Sequence, residues 1–340
     1  MTRSMKPRLR RSLLALALGG LLTIGASPCP SAEGQPAIEF DRQPGAVPIT
    51  AAGEPVATYF YADQEIARPF FAHVHAPGGV PVTRNHPPRP GIDETDHGTA
   101  GNYFHPGIWL AFSNLNGSDY WRLKAAVRHE AFVDEPAIRE GRGTFTVRNS
   151  YRDQQHSDVT VANEICRYTI LALPSAYLLV SDSLFWSDDR ELSFGDEEEM
   201  GLAVRVATRL AVKHGGRLLA STGRTGEKQI RGQNATWCDY SGMTEGRHAG
   251  VLLVPDSANS LTSRYHARDY GLLAANPFAR QSLDAGDKLT TNIARGESLR
   301  LRFAVVLHSG AKMNEADNTS VQSLHKAVVK ILAELPRPAR

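Results

Sequence analysis

Cysteine is scarce, with three in 340 residues. Three thiols cannot staple a chain of this length, which excludes a disulfide-built mini-domain and leaves stability to an apolar core. Beyond residue 32 no apolar run approaches the ~20 residues that a helix needs to cross a bilayer, so no span is expected in the mature chain. Charge of one sign is missing too. The formal net charge is +2, and five basic residues, Arg3, Lys6, Arg8, Arg10 and Arg11, crowd the first eleven positions; without them the balance falls by five to −3. No long Lys/Arg block interleaves with aromatics, so nucleic acid is not an expected partner. The sequence has no internal repeat and no glycine-rich nucleotide motif. It also lacks a Gly-x-Ser-x-Gly elbow and a Cys-centred nucleophile signature, which argues against acyl-transfer hydrolysis.

What is present is an ordinary globular composition, 41% apolar and 22% charged, sufficient for a large core. The basic stretch at the start runs into a small-or-apolar segment from Leu13 to Ala26 and then into small residues and prolines up to Ala32. That order predicts a signal peptide over 1–32 and a periplasmic or secreted mature protein. Cys166 and Cys238 then face an oxidising compartment, where they are expected to stay unpaired as small hydrophobes.

Period-two alternation dominates the rest. Leu299, Leu301, Phe303 and Val305 share one face of a strand, with Arg300 and Arg302 on the other. Met200, Leu202, Val204 and Val206 alternate in the same way against Glu199, Gly201, Ala203 and Arg205. Further β-rich runs lie at Thr58 to Tyr61, Thr144 to Val147, Val159 to Leu173, Tyr177 to Trp186 and Gly250 to Val254, many separated by glycine turns. One helix is predicted, near the C-terminus, where Val321, Leu324, Val328, Ile331 and Leu335 recur at spacings of three and four before Pro336. Many strands without a βαβ rhythm predict an all-β fold, a large antiparallel β-sandwich over 33–315 followed by a C-terminal helix and tail over 316–340.

Three segments crowd polar, aromatic and glycine residues where a plain strand needs none. In the first, His97 and His105 bracket a glycine-containing loop, and Trp109 and Trp121 follow. Imidazoles exchange protons, and indole faces suit the apolar face of a sugar. In the second, the acidic run Asp196 to Glu199 leads into the strand that carries Arg205; Glu199 is the candidate acid, with Glu198 as its rival because a bulge would exchange their faces. The third holds Trp237 and Asp239, then His266, Arg268 and Asp269, then Asn276. Trp237 and Asp239 share a side if extended, and so do His266 and Arg268. The glycines and Asn276-Pro277 suggest an irregular loop there. His73 and His75, two apart on an expected strand, form a permissible metal pair that His97, His105 or His266 could extend. No carboxylate or cysteine completes a recognisable spacing, so no metal and no cofactor is expected.

The segments Arg68-Pro69-Phe70-Phe71, Val82 to Pro87, Asp96-His97 and His105-Pro106-Gly107-Ile108-Trp109 carry a family resemblance. So do Asn116 to Trp121, Trp237 to Gly242 and Tyr265 to Phe278. In this order they resemble the secreted bacterial family DUF6807, also labelled the methane oxygenase PmoA family, over roughly residues 55 to 308. The oxygenase label belongs to a multi-span membrane subunit, and this chain offers no such span. The resemblance implies a galactose-mutarotase-like supersandwich. Relatives carry an unbroken histidine run before the Gly-x-Trp, whereas here Gly98 to Phe104 separate His97 from His105.

The expectation is a carbohydrate-active enzyme working by acid–base chemistry on a sugar or glycoside, through cleavage, elimination or epimerisation. His97, His105, Glu199 and His266 are the candidate catalytic residues. Trp109, Trp121, Arg205, Trp237, Asp239, Arg268, Asp269 and Asn276 are the candidate substrate-binding residues. Two alternatives stand beside it, a non-catalytic glycan-binding protein and a metal-dependent enzyme.

Overall fold

Alternating apolar side chains build two large sheets and decide which faces meet. The computed structural model describes residues 1–2, 37–93, 104–310 and 318–337, so the expected leader beyond Thr2, and His97, lie outside the described residues. Among them, one antiparallel sheet of eight strands, sheet I, runs in the order Ile38–Phe40, Ala46–Ala51, Glu54–Phe60, Phe70–Ala72, Ile108–Phe112, Met200–Arg205, Leu272–Asn276 and Arg264–Arg268. A second large sheet, sheet II, also has eight strands, in the order Arg217–Ala220, Cys238–Thr244, Arg247–Pro255, Ser298–Gly310, Ala176–Trp186, Thr160–Leu173, Arg142–Arg152 and Val127–Arg139, and two short two-stranded sheets accompany the pair. Every pairing within the two sheets is antiparallel. The expected all-β sandwich is the fold observed.

Met200, Leu202 and Val204 of sheet I share one buried core with Leu299, Leu301, Phe303 and Val305 of sheet II, as the alternation predicts. Each such side chain removed from water contributes roughly 1.5–3 kcal/mol, which fixes the register of both strands. Cys166 and Cys238 lie in this layer as free thiols. The C-terminal helix forms over Asn318–Glu334 and sets Val321, Val328 and Leu332 on the outer face of sheet II, against Leu178, Leu252 and Val306. No helix of the described residues is long and apolar enough to cross a membrane.

The outer face of sheet I differs in kind. The ladder aligns Trp109, Ala203, Ala274 and His266 across four neighbouring strands, and the next row aligns Arg205, Leu272 and Arg268. Alanines in the middle of the first row keep the floor low between an indole and an imidazole. The stretch expected to be an irregular loop is a hairpin, Arg264–Arg268 paired with Leu272–Asn276. Its Tyr265, Ala267, Leu273 and Ala275 all reach the inter-sheet core, and that burial outweighs the turn-forming glycines.

Candidate functional site

The site grows from the turn that precedes Met200. Met200 is drawn into the core, and Gly201 follows with φ of +96°. A Cβ at Gly201 would stand 2.1 Å from the carbonyl oxygen of Ala275, so only glycine allows the two strands to approach here. Asn276, fully buried, clamps the turn from the neighbouring strand. Its amide donates to the carbonyls of Glu197 at 2.8 Å and Glu198 at 3.1 Å, and its oxygen accepts from the backbone of Phe278 and Ala279. Asp196 locks the other side by accepting backbone N–H groups from Arg280, Gln281, Ser282 and Leu289. Burial opposes ionisation of Asp196, but these bonds prevail and hold its pKa at about 2.

Held in this way, Glu198 and Glu199 enter different surroundings. Glu199 has a side chain only 13% exposed; burial drives its pKa up to about 7, with Glu198 and Asp119 adding to the rise, although Arg122 contacts its carboxylate and opposes it. Glu198 lies between Arg231, at 3.0 Å, and Arg268, at 3.1 Å. Burial would raise it, but His266 and the two guanidinium groups outweigh that and keep it below the usual carboxylate range. Arg268 also binds Glu227 at 2.8 Å, and Glu227 accepts the Asp269 backbone N–H at 2.9 Å.

His266 is buried with Nδ1 3.7 Å from Glu198, beyond hydrogen-bond reach. Burial lowers its pKa to about 4, so the ring is neutral at pH 7. The Arg205 guanidinium, also buried, lies 4.4 Å from the centre of the Tyr270 ring. On the far side of the alanine floor, the Trp121 indole donates to His105 Nε2 at 3.2 Å, which places the proton of a neutral His105 on Nδ1. His105 stacks on Trp109 at 5.3 Å, and Trp109 meets Trp121 edge-on at 5.2 Å. Arg68 binds the carbonyls of Tyr120, Trp121 and Phe104 and so ties this aromatic block together. Burial depresses its pKa to about 9.

The profile of DUF6807, a family of unknown function, matches residues 46–322. The chain belongs to this family. No functionally curated protein matches the DUF6807 chain in sequence. Among solved structures it is similar to an alpha-galactosidase from Lactobacillus brevis, at 9% identity and a TM-score of 0.41, over 81% of this chain and 39% of that one. It is similar to the GH36 alpha-galactosidase AgaB from Geobacillus stearothermophilus, at 11% identity and a TM-score of 0.42, over 81% of this chain and 41% of that one. A galactose mutarotase-like protein from Clostridium acetobutylicum matches at 8% identity and a TM-score of 0.36, over 82% of this chain and 99% of that one. The DUF6807 chain thus spans about two-fifths of the length of the galactosidases it matches.

The outer face of sheet I gathers His105, Trp109, Glu199, Arg205, His266 and Arg268, and leaves Trp237 and Asp239 elsewhere. Those two share a face, as their spacing predicts, but it is the outer face of sheet II. Trp237 packs there with the C-terminal helix, and Asp239 accepts hydrogen bonds from His308 at 2.7 Å and Ser241 at 2.5 Å. Their strand lies in the other sheet, which local spacing cannot reveal. Trp109 and Trp121 are buried against each other and offer no open face for stacking. Asn276 spends its hydrogen bonds on the backbone and acts as a clamp rather than a substrate ligand. Asp269 holds the Glu227 backbone N–H at 2.9 Å.

His73 and His75, weighed as a permissible metal pair, do not lie together on one strand. His73 sits in a turn with φ of +50°, and each ring commits one nitrogen to a backbone carbonyl, His86 and His73 respectively. Among the described residues no group of three or more histidine, cysteine or acidic side chains is placed to hold a metal ion.

Sequence reasoning missed Arg122, Tyr270, Glu227 and Arg231. The first two sit beside residues that were singled out, and their proximity was a usable signal. Glu227 and Arg231 come from a short helical turn over Glu227–Ile230 and its exit, which carries no local pattern tying it to Glu198. A cleft of about 750 Å³ beside Thr83, Thr208 and His214 shares no residue with this network.

Proposed function

We propose that this chain is an exported enzyme acting on a sugar or glycoside, with Glu199 as the group that exchanges a proton with the substrate. The observation that carries the reading is the divergence of two adjacent carboxyls, Glu199 raised to about 7 and Glu198 held ionised. A pair pushed apart in this way supplies a proton carrier poised at neutral pH beside a carboxylate that stays ionised in its ion pairs, a separation that suits acid–base chemistry at a sugar. In its protonated form Glu199 donates to a departing or ring oxygen; ionised, it accepts a proton back. Glu198, paired with Arg231 and Arg268, fixes both guanidinium groups beside the site. The neutral His266 accepts from a hydroxyl, while Arg205 and Tyr270 form a rigid wall. Glycoside cleavage, elimination and epimerisation all fit this division.

The test is turnover of a panel of sugars and glycosides by the wild type and by Glu199→Gln. Turnover by the wild type should fall at least ~100-fold in the variant, and the limb of the pH profile near 7 should vanish with it. Wild-type turnover in Glu199→Gln overturns the assignment. Tight binding of sugars without any turnover by the wild type points instead to a glycan-binding protein.

A further inference from the structure

The ladder Glu198–Arg268–Glu227 leads from the site to the Arg264–Arg268 edge of sheet I, where the Gly232 and Gln233 backbone bonds to Tyr265 and a cleft of about 460 Å³ opens. Glu227 and Arg231 line it, so its wall and the site share two side chains. The volume lies within the range of ~300–1,000 Å³ usual for small-molecule sites. Leu283 is the one apolar side chain among its lining residues, which leaves no platform for an apolar ligand.

The remaining hydrogen-bonding capacity of the cleft is mixed. Arg231 is committed to Glu198, to Asp284 and to the Ser282 carbonyl. Glu227 is committed to Arg268 and to the Asp269 backbone. Gln233 accepts from Arg224 at 2.7 Å, which leaves its two amide N–H groups available, and Lys228 is exposed. Asp269 retains its second oxygen, and Asp284 is 85% exposed. Among the described residues the cleft thus offers donors from Lys228 and Gln233 and acceptors from Asp269 and Asp284 that these bonds do not occupy. A hydroxyl group both donates and accepts, so a polyhydroxylated unit satisfies both kinds. An anionic unit meets three carboxylates here, from Glu227, Asp269 and Asp284, against the cations of Lys228 and an already paired Arg231.

We infer that this cleft is a subsite for a second, uncharged sugar unit, which makes the substrate class a neutral glycoside of two or more units rather than a free monosaccharide. The inference rests on the proposed sugar chemistry of the adjoining site. It is tested by calorimetric titration of the full chain with lactose, melibiose, maltose and cellobiose, each beside the methyl glycosides of its component sugars. At least one disaccharide should bind tenfold or more tightly than its methyl glycosides. The double variant Lys228→Ala/Gln233→Ala should remove that advantage and leave methyl-glycoside binding unchanged within twofold. The milder Lys228→Gln and Gln233→Glu, checked for an unchanged melting temperature, guard against loss of fold. Equal binding of the two sizes, a disaccharide advantage that survives the double variant, or no binding across the panel each overturns the subsite. The subsite pattern accompanied by wild-type turnover in Glu199→Gln retires the role of Glu199 while the subsite stands.

Discussion

Glu198 and Glu199 are joined by one peptide bond, yet the protein drives their carboxyls in opposite directions. Glu198 sits in a cage of guanidinium groups, and Glu199 turns into the buried layer above the alanine floor, where Arg122 is its cationic contact. The Asn276 clamp and the tight contact at Gly201 hold the chain in the one path that separates them.

Glu199 makes stability depend on pH. Its pKa rises on folding to about 7 from an ordinary value near 4.5, so the folded state binds the extra proton. Its contribution is fully present below about pH 4.5 and is lost as pH climbs through 7. The loss is on the order of 3 kcal/mol. Urea denaturation of the wild type and Glu199→Gln at pH 4.5 and 8 checks this: the variant should gain relative to the wild type at the higher pH. A constant difference between the two proteins contradicts it.

His266 shifts the opposite way, from 6.5 down to about 4. Here the unfolded chain binds the proton more readily, so stability is present above about pH 6.5 and falls as pH drops toward 4. Proton NMR of the imidazole, assigned with His266→Asn, should show a neutral ring at pH 5.5. An imidazolium signal at that pH would mean that the ring is solvated.

The clamp should be expensive to remove. Asn276→Ala leaves two carbonyls and two backbone N–H groups without their partner in a fully buried place. A destabilisation of about 3 kcal/mol is expected by chemical denaturation. Gly201→Ala should cost at least as much, because its Cβ meets backbone rather than a movable side chain. A shift below about 0.5 kcal/mol for either variant shows that the turn can relax.

Asp239 offers a control on the opposite sheet. Asp239→Asn weakens its bond to His308 and is expected to lower the melting temperature by a few degrees. Sugar binding or turnover should stay within twofold of the wild type. A large kinetic effect at unchanged stability would return Asp239 to the site.

Much of this protein follows from local sequence. The alternation in Met200 to Val206 and Leu299 to Val305 fixes which side chains face the core, because a one-residue slip would send every apolar group to the wrong side. The same reasoning puts Glu199 and Arg205 on one face, pairs His266 with Arg268, and predicts the C-terminal helix from its stripe of Val321, Leu324 and Val328. The family resemblance likewise follows from residues in order along the chain.

Only the tertiary structure decides which faces become neighbours. Trp237 and Asp239 obey their local alternation and still end on the far sheet, because strand order is set by long-range pairing that no local period encodes. Glu227 and Arg231 reach Glu198 from a short turn with no pattern of its own. The choice between Glu198 and Glu199 depends on one backbone turn, and on how much water and how many guanidinium groups remain around each carboxyl once both sheets have closed. Spacing along a chain determines direction from a strand; the electrostatics of a carboxyl depend on everything packed around it, and that exists only in the folded protein.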